Sequence, residues 1–180
     1  RRLRLVEIAR QHDLILVEDD PYGELRFEGE EIAPLYRLAP ERTIYLSTFS
    51  KTLAPGFRIG WVTAPKAIVQ KIVQAKQGSD LHTGTFAQAV VADVCLRGLL
   101  PGHVSKIRST YHERRDAMLA ALGEHWPDGC AWTRPKGGLF LWATVPEPLR
   151  TAELLPKAIE KKVAYVPGLA FYPGEAGGHN

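Results

Sequence analysis

Arg58 follows Lys51 by seven positions in the run Ser47-Thr-Phe-Ser-Lys-Thr-Leu-Ala-Pro-Gly-Phe-Arg-Ile-Gly-Trp61. A lysine held in a partly desolvated site is a carbonyl-reactive amine, able to form a Schiff base with an aldehyde. Thr48 and Ser50 flank it with hydroxyls, and the planar fork of Arg58 matches a phosphate bidentately. Pro55-Gly56 allows a tight loop that returns Arg58 toward Lys51. Taken singly, Lys51 would be a surface lysine and Arg58 a charge at the start of a strand. Their company points instead to carbonyl chemistry on a phosphorylated ligand.

A second cluster, Glu18-Asp-Asp-Pro-Tyr-Gly23, lies upstream. Asp19 follows four apolar residues and Glu18, so its carboxylate is expected deep at a sheet edge, where an unpaired charge is costly and a cationic partner is needed. A protonated pyridine nitrogen would serve, and the pairing keeps such a ring an electron sink. Asp20 is assigned to capping the turn before Pro21. Tyr22 can bring a phenol near the ring's O3′ oxygen, or simply pack the loop. The two clusters together describe a pyridoxal phosphate (PLP) site.

Both clusters follow candidate strands. Leu5, Ile8, Ala9 and His12 fall at helical spacing, and Leu14-Ile-Leu-Val17 is a short apolar run of the kind found in buried parallel strands. Thr43-Ile-Tyr-Leu-Ser47 reads as the next strand. In open α/β sheets ligands sit beyond the carboxyl ends of strands, so the clusters should face one crevice. Residues 58–64 form a third strand candidate, too close to the second for a parallel crossover and therefore expected antiparallel. Pro65 suits the first turn of a helix carrying Ile68, Val69, Ile72 and Val73, and residues 87–97 continue as another helix. Gly98 to Gly102 punctuates the chain before a long amphipathic helix. Strands are expected at 131–133, 139–144 and 163–166, with a helix at 151–161. The expected fold class is α/β, with part of a mostly parallel large-domain sheet in residues 1–100 and a smaller, incomplete α+β C-terminal domain in 101–180.

The composition of the 180 residues, 45% hydrophobic and 24% charged, is that of an ordinary globular protein. The net charge of +3 is spread along the chain without the basic stripe that tracks nucleic acid. Cys95 and Cys130 lie far apart, six histidines show no metal spacing, and no metal is expected. His82 reads as a loop histidine capping a helix. Neither GxGxxG nor GxxxxGK[ST] occurs, which removes support for nucleotide binding. No apolar run reaches the roughly 18 residues of a membrane span and no leader pattern opens the chain, so a cytoplasmic protein is expected. The chain opens without Met in a helical pattern, and is read as a piece of a longer protein.

On these motifs the chain resembles the fold-type I PLP-dependent aminotransferases of class I/II, in the branch of aminoadipate, kynurenine and aromatic aminotransferases. The resemblance runs from Leu14-Ile-Leu-Val-Glu-Asp-Asp-Pro-Tyr22 through Ser50-Lys-Thr-Leu-Ala-Pro-Gly-Phe-Arg58 to Gly137-Gly-Leu-Phe-Leu-Trp142 and Tyr165-Val-Pro-Gly168. It implies that Lys51 forms the Schiff base and shuttles the substrate proton, that Asp19 pairs the pyridinium nitrogen, that Tyr22 bonds O3′, and that Thr48, Ser50 and Arg58 bind the phosphate. The implied reaction moves an amino group from an amino acid to a 2-oxo acid, often 2-oxoglutarate, in a homodimer. The family's glycine-rich phosphate loop, ring-stacking aromatic residue and O3′ asparagine would precede residue 1, and its carboxylate-binding arginine would follow residue 180. Residues 1–180 alone are therefore expected to be inactive.

Two other readings share these motifs. A MocR-type transcription regulator fuses a winged helix to an aminotransferase-like sensor that keeps a similar lysine loop. That group reads Glu-Asp-Asp-Tyr-Asp at the first motif, whereas this chain has Glu18-Asp-Asp-Pro-Tyr22, which favours the enzyme. A fold-type I lyase or an aminocyclopropane carboxylate synthase also carries a Pro-Gly-Phe-Arg run.

Overall fold

Helix α1 (Arg2–Gln11) buries Val6 and Ala9, three positions apart and so on one face. These pack with Leu16, Leu35 and Ala39 into the first core. The computed structural model describes residues 1–174, 177 and 178. After α1 the amide of Leu14 turns back to the Ala9 carbonyl at 2.8 Å, and the amide of Leu16 reaches the Arg42 carbonyl. Strand β1 is therefore Leu16–Asp19, later than the apolar run predicts, because residues 14 and 15 are spent on the turn. Helix α2 (Leu35–Leu38) leads to Arg42, whose guanidinium donates to the carbonyls of Ala9 and Leu14 at 3.0 and 3.1 Å and ties down the end of α1.

Strand β2 (Thr43–Thr48) runs parallel to β1, from Leu16 opposite Thr43 to Asp19 opposite Leu46. Helix α3 (Phe49–Thr52) is a single turn, and β3 (Gly60–Thr63) returns antiparallel to β2 as the short connection requires. The sheet order is β1-β2-β3. Helices α4 (Lys66–Ser79) and α5 (Thr85–Leu96) follow. Gly98, at φ 67°, stops α5, yet the expected break through Gly102 does not occur. Helix α6 (Leu99–His125) starts at once, because Pro101 lies in its first turn, where a helix needs no amide donor.

The chain divides into two compact units, residues 1–114 with 136–139, and residues 115–135 with those from 140 onward. Residues 136–139 join the first unit through backbone bonds. The amides of Phe27 and Glu28 donate to the Lys136 carbonyl, and Gly138 donates to the carbonyl of the fully buried Leu25. A Cβ on Gly137 would lie 2.8 Å from the Arg26 Cα and 2.9 Å from the Leu25 oxygen, so only glycine permits this approach.

In the second unit β4 (Ala131–Trp132) pairs antiparallel with β5 (Ala143–Thr144), and α7 (Thr151–Glu160) follows. The strand expected at 139–144 is thus shorter, since residue 139 belongs to the first unit. Residues 163–166 form no strand, because among the described residues β4 and β5 pair only with each other and leave them no ladder. Tyr165 instead donates its hydroxyl to the Thr151 carbonyl at 2.7 Å.

Candidate active site

Because β1 and β2 are parallel, both end at one edge of the sheet, and there the chain places Asp19 to Tyr22 and Thr48 to Lys51. Alternation along β1 decides which carboxylate goes where. Leu16 and Glu18 face the α1 and α2 core, while Val17 and Asp19 take the opposite, exposed face. The buried carboxylate is accordingly Glu18, 8% exposed, which accepts from the Arg2 guanidinium and from the Tyr36 amide. The expected depth of Asp19 is not observed. Strand alternation reserves the covered side for Glu18.

Thr48 caps α3, accepting from the Ser50 amide at 3.0 Å, while its hydroxyl lies 3.0 Å from the Ser50 hydroxyl and donates to the Ile59 carbonyl at 2.9 Å. The Phe49 amide donates to that same carbonyl at 3.0 Å. These two bonds close the loop and bring the residue after Arg58 back against the lysine segment. Gly60 follows, and a Cβ there would lie 3.1 Å from the Ser47 oxygen. Arg58 holds a left-handed backbone, φ 55° and ψ 36°, a conformation costing an ordinary residue roughly 1–2 kcal/mol. Its exposed guanidinium donates to the Pro55 carbonyl at 3.3 Å.

Lys51, half-buried on α3, places its Nζ 5.9 Å from the centre of the Tyr22 ring. Tyr22 immediately precedes a short 3-10 turn, Gly23–Leu25. Among the described residues neither Lys51 nor Arg58 has a carboxylate at ion-pair distance, and Asp19 has no cation. A loop that gathers two uncompensated cations beside two hydroxyls, with an unpaired carboxylate at the adjoining strand end, suits a ligand carrying an aldehyde, a phosphate and a protonated ring nitrogen. The donor set therefore fits pyridoxal phosphate.

Three contributors were missed in the sequence: Glu18, Tyr45 and Ser47. Tyr45 and Ser47 occupy alternate positions of β2, each following an apolar residue, Ile44 and Leu46, and that polar alternation is the signal that marks them. The Tyr45 hydroxyl donates to the Asp20 carboxylate at 3.2 Å, and the Ser47 hydroxyl to the Asp20 carbonyl at 2.9 Å. Burial first, then the Asp20 carboxylate, pushes the Tyr45 hydroxyl above its ordinary pKa. A folded pKa raised above the unfolded value of about 10 gives stability that is complete below that pH and lost as pH climbs through the folded value. Alkaline unfolding should steepen above about pH 10, and Tyr45→Phe should lessen the slope in a pH series of melts.

Residues 3–176 match the family described as Aminotransferase class I and II. The chain is 53% identical, over 96% of its length, to aromatic-amino-acid aminotransferase 1 of Thermococcus litoralis, of which it spans 42%. The Pyrococcus horikoshii kynurenine aminotransferase, solved with PMP, superposes at TM-score 0.91 with 49% identity, covering 95% of this chain and 43% of that one. Thermus thermophilus LysN, an alpha-aminoadipate aminotransferase complexed with N-(5'-phosphopyridoxyl)-L-leucine, superposes at TM-score 0.93 with 40% identity over 99% of this chain and 46% of that one. A more distant relative, 31% identical over 97% of this chain and 36% of its own length, is the HTH-type transcriptional regulator YisV of Bacillus subtilis. The chain spans less than half the length of these relatives. Its α/β layers are part of the fold-type I architecture expected from the motifs. By the extent of the family match and by these identities, the chain belongs to the class I and II aminotransferases.

Proposed function

We propose that the full-length protein is a pyridoxal phosphate-dependent transaminase that moves an amino group from an amino acid to a 2-oxo acid such as 2-oxoglutarate. The observation that carries this reading is the gathering of Lys51, Arg58 and Asp19, all without ion-pair partners among the described residues, at the common end of β1 and β2. The cofactor supplies an aldehyde that takes up the amino group and a protonated ring that draws electrons from the substrate's Cα. Lys51 is the amine that engages the aldehyde, and its Nζ carries the proton to and from Cα. Asp19 holds the ring nitrogen protonated, Tyr22 donates toward O3′, and Thr48, Ser50 and Arg58 hold the phosphate. The relatives' names point to aromatic, kynurenine or aminoadipate donors, and the family resemblance points to a homodimer. No described helix is long and apolar enough to cross a membrane.

Borohydride reduction of the full-length holoprotein followed by peptide mapping should place the pyridoxyl group on Lys51. Label on another lysine overturns the assignment. A panel of amino acids against 2-oxoglutarate then identifies the donor. Removing Arg58 with Arg58→Ala should mainly weaken cofactor retention. A charged bidentate bond worth roughly 1.5–3 kcal/mol corresponds to a rise of about 10- to 150-fold in the dissociation constant measured by equilibrium dialysis. An unchanged constant removes Arg58 from the phosphate site.

The similarity to YisV supports a second reading, the sensor half of a regulator. A winged helix upstream, together with retained cofactor but no turnover across the donor panel, would favour it.

A further inference from the structure

Asp20 lies between the two residues of its cluster that are assigned to the cofactor, yet its own bonds all run to β2. Its amide donates to the Leu46 carbonyl at 2.9 Å, its carbonyl accepts from the Ser47 hydroxyl at 2.9 Å, and its carboxylate accepts from the Tyr45 hydroxyl at 3.2 Å. The donors and acceptor on the other side are consecutive residues of the strand that runs on into Thr48 and Lys51. The carboxylate also lies over Gly23, where a Cβ would come within 2.3 Å of Oδ2, so the turn after Tyr22 closes around it. Pro21, with its φ restricted, joins this anchored residue to Tyr22.

We propose that Tyr45 and Asp20 form a clasp that positions the turn carrying Asp19 and Tyr22 against the segment carrying Lys51. Both are positioning residues. They act through their neighbours, by holding the Tyr22 ring 5.9 Å from the Lys51 amine. The clasp rests on the proposed transaminase reading for its effect on rate, while its effect on the turn stands apart from that reading. Displacements of about 1 Å at reacting groups can cost about 10²-fold in rate, so loosening the turn should be visible in kcat.

The test uses the full-length protein and four variants: Tyr45→Phe, Asp20→Ala, Asp20→Asn and the double Tyr45→Phe/Asp20→Ala. Tyr45→Phe and Asp20→Ala should each lower kcat about tenfold while leaving KM for the 2-oxo acid within about twofold. The double variant should be no more than about twofold worse than either single, because both remove one interaction. Asp20→Asn should recover most of the rate, since an amide oxygen still accepts from the Tyr45 hydroxyl. In the cofactor-free protein, amide hydrogen exchange in the peptide covering residues 20–25 should quicken by about tenfold in Tyr45→Phe, a change confined to that turn. Should Asp20→Ala fail to fold, Tyr45→Phe decides alone, since it removes a single hydroxyl. Exchange equal to wild type overturns the clasp whatever the activity, and in an active protein an unchanged Tyr45→Phe kcat overturns it as well. Faster exchange in a protein whose wild type transaminates no donor would support the clasp and overturn the transaminase reading instead.

Discussion

Lys51→Ala in the full-length protein should lower transaminase kcat by at least about 10³-fold, combining loss of the carbonyl-reactive amine with loss of the base that moves the Cα proton. The expectation follows from the position of the residue. Lys51 sits on α3 directly beyond the carboxyl end of β2, half-buried, with its Nζ toward the Tyr22 ring. The next lysine along the chain is Lys66, which opens α4 beyond β3. Steady-state kinetics with the best donor from the panel would measure the loss, and reduction with borohydride should leave the variant unlabelled. A variant keeping more than about a tenth of wild-type kcat would show that another group does this work.

The second large effect is expected at Asp19. Asp19→Ala should slow Cα proton abstraction by about 10² or more, because an electron-withdrawing ring depends on a protonated nitrogen and the carboxylate maintains that charge. Asp20→Ala should cost only about tenfold, through the turn. A substrate deuterated at Cα distinguishes the two. The isotope effect on kcat should rise in Asp19→Ala, where proton transfer becomes limiting, beyond that in Asp20→Ala. Equal losses and equal isotope effects would remove the assignment of Asp19 to the ring nitrogen. The structure supplies the geometric ground for separating these neighbours. Asp19 has no ion-pair partner among the described residues and lies on the exposed face of β1, whereas Asp20 is engaged at its amide, carbonyl and carboxylate by β2.

Much of the frame was legible in residue order. The apolar run before Asp19 and the run Thr43-Ile-Tyr-Leu-Ser47 are short and bounded by polar turns; the second half of the first run and the whole of the second lie in strands parallel to each other. The few residues between β2 and β3 forced an antiparallel return, and that is how they pair. Motif spacing sufficed for the family, since a lysine, two hydroxyls and an arginine within one loop form a local arrangement. Less legible were the ends of elements and the long-range bonds. Leu14 and Ile15 looked like strand, but the turn that α1 requires consumed them. Residues 163–166 looked like strand too, and found no neighbour to pair with.

Residue order was enough for the chemistry offered by each cluster and for the sheet end at which both clusters emerge, because both depend on contacts within a few residues and on the handedness and spacing rules of short connections. Which carboxylate is buried, that Gly137 must lie against Arg26, and that Asp20 is fastened to Tyr45 and Ser47 emerge only once distant segments pack together. The physical reason is that burial and hydrogen bonding are properties of pairs of surfaces. Glu18 and Asp19 are chemically almost alike and adjacent in the chain. Which of them keeps water depends on the side of β1 that α1 and α2 cover, and no local pattern of residues states that.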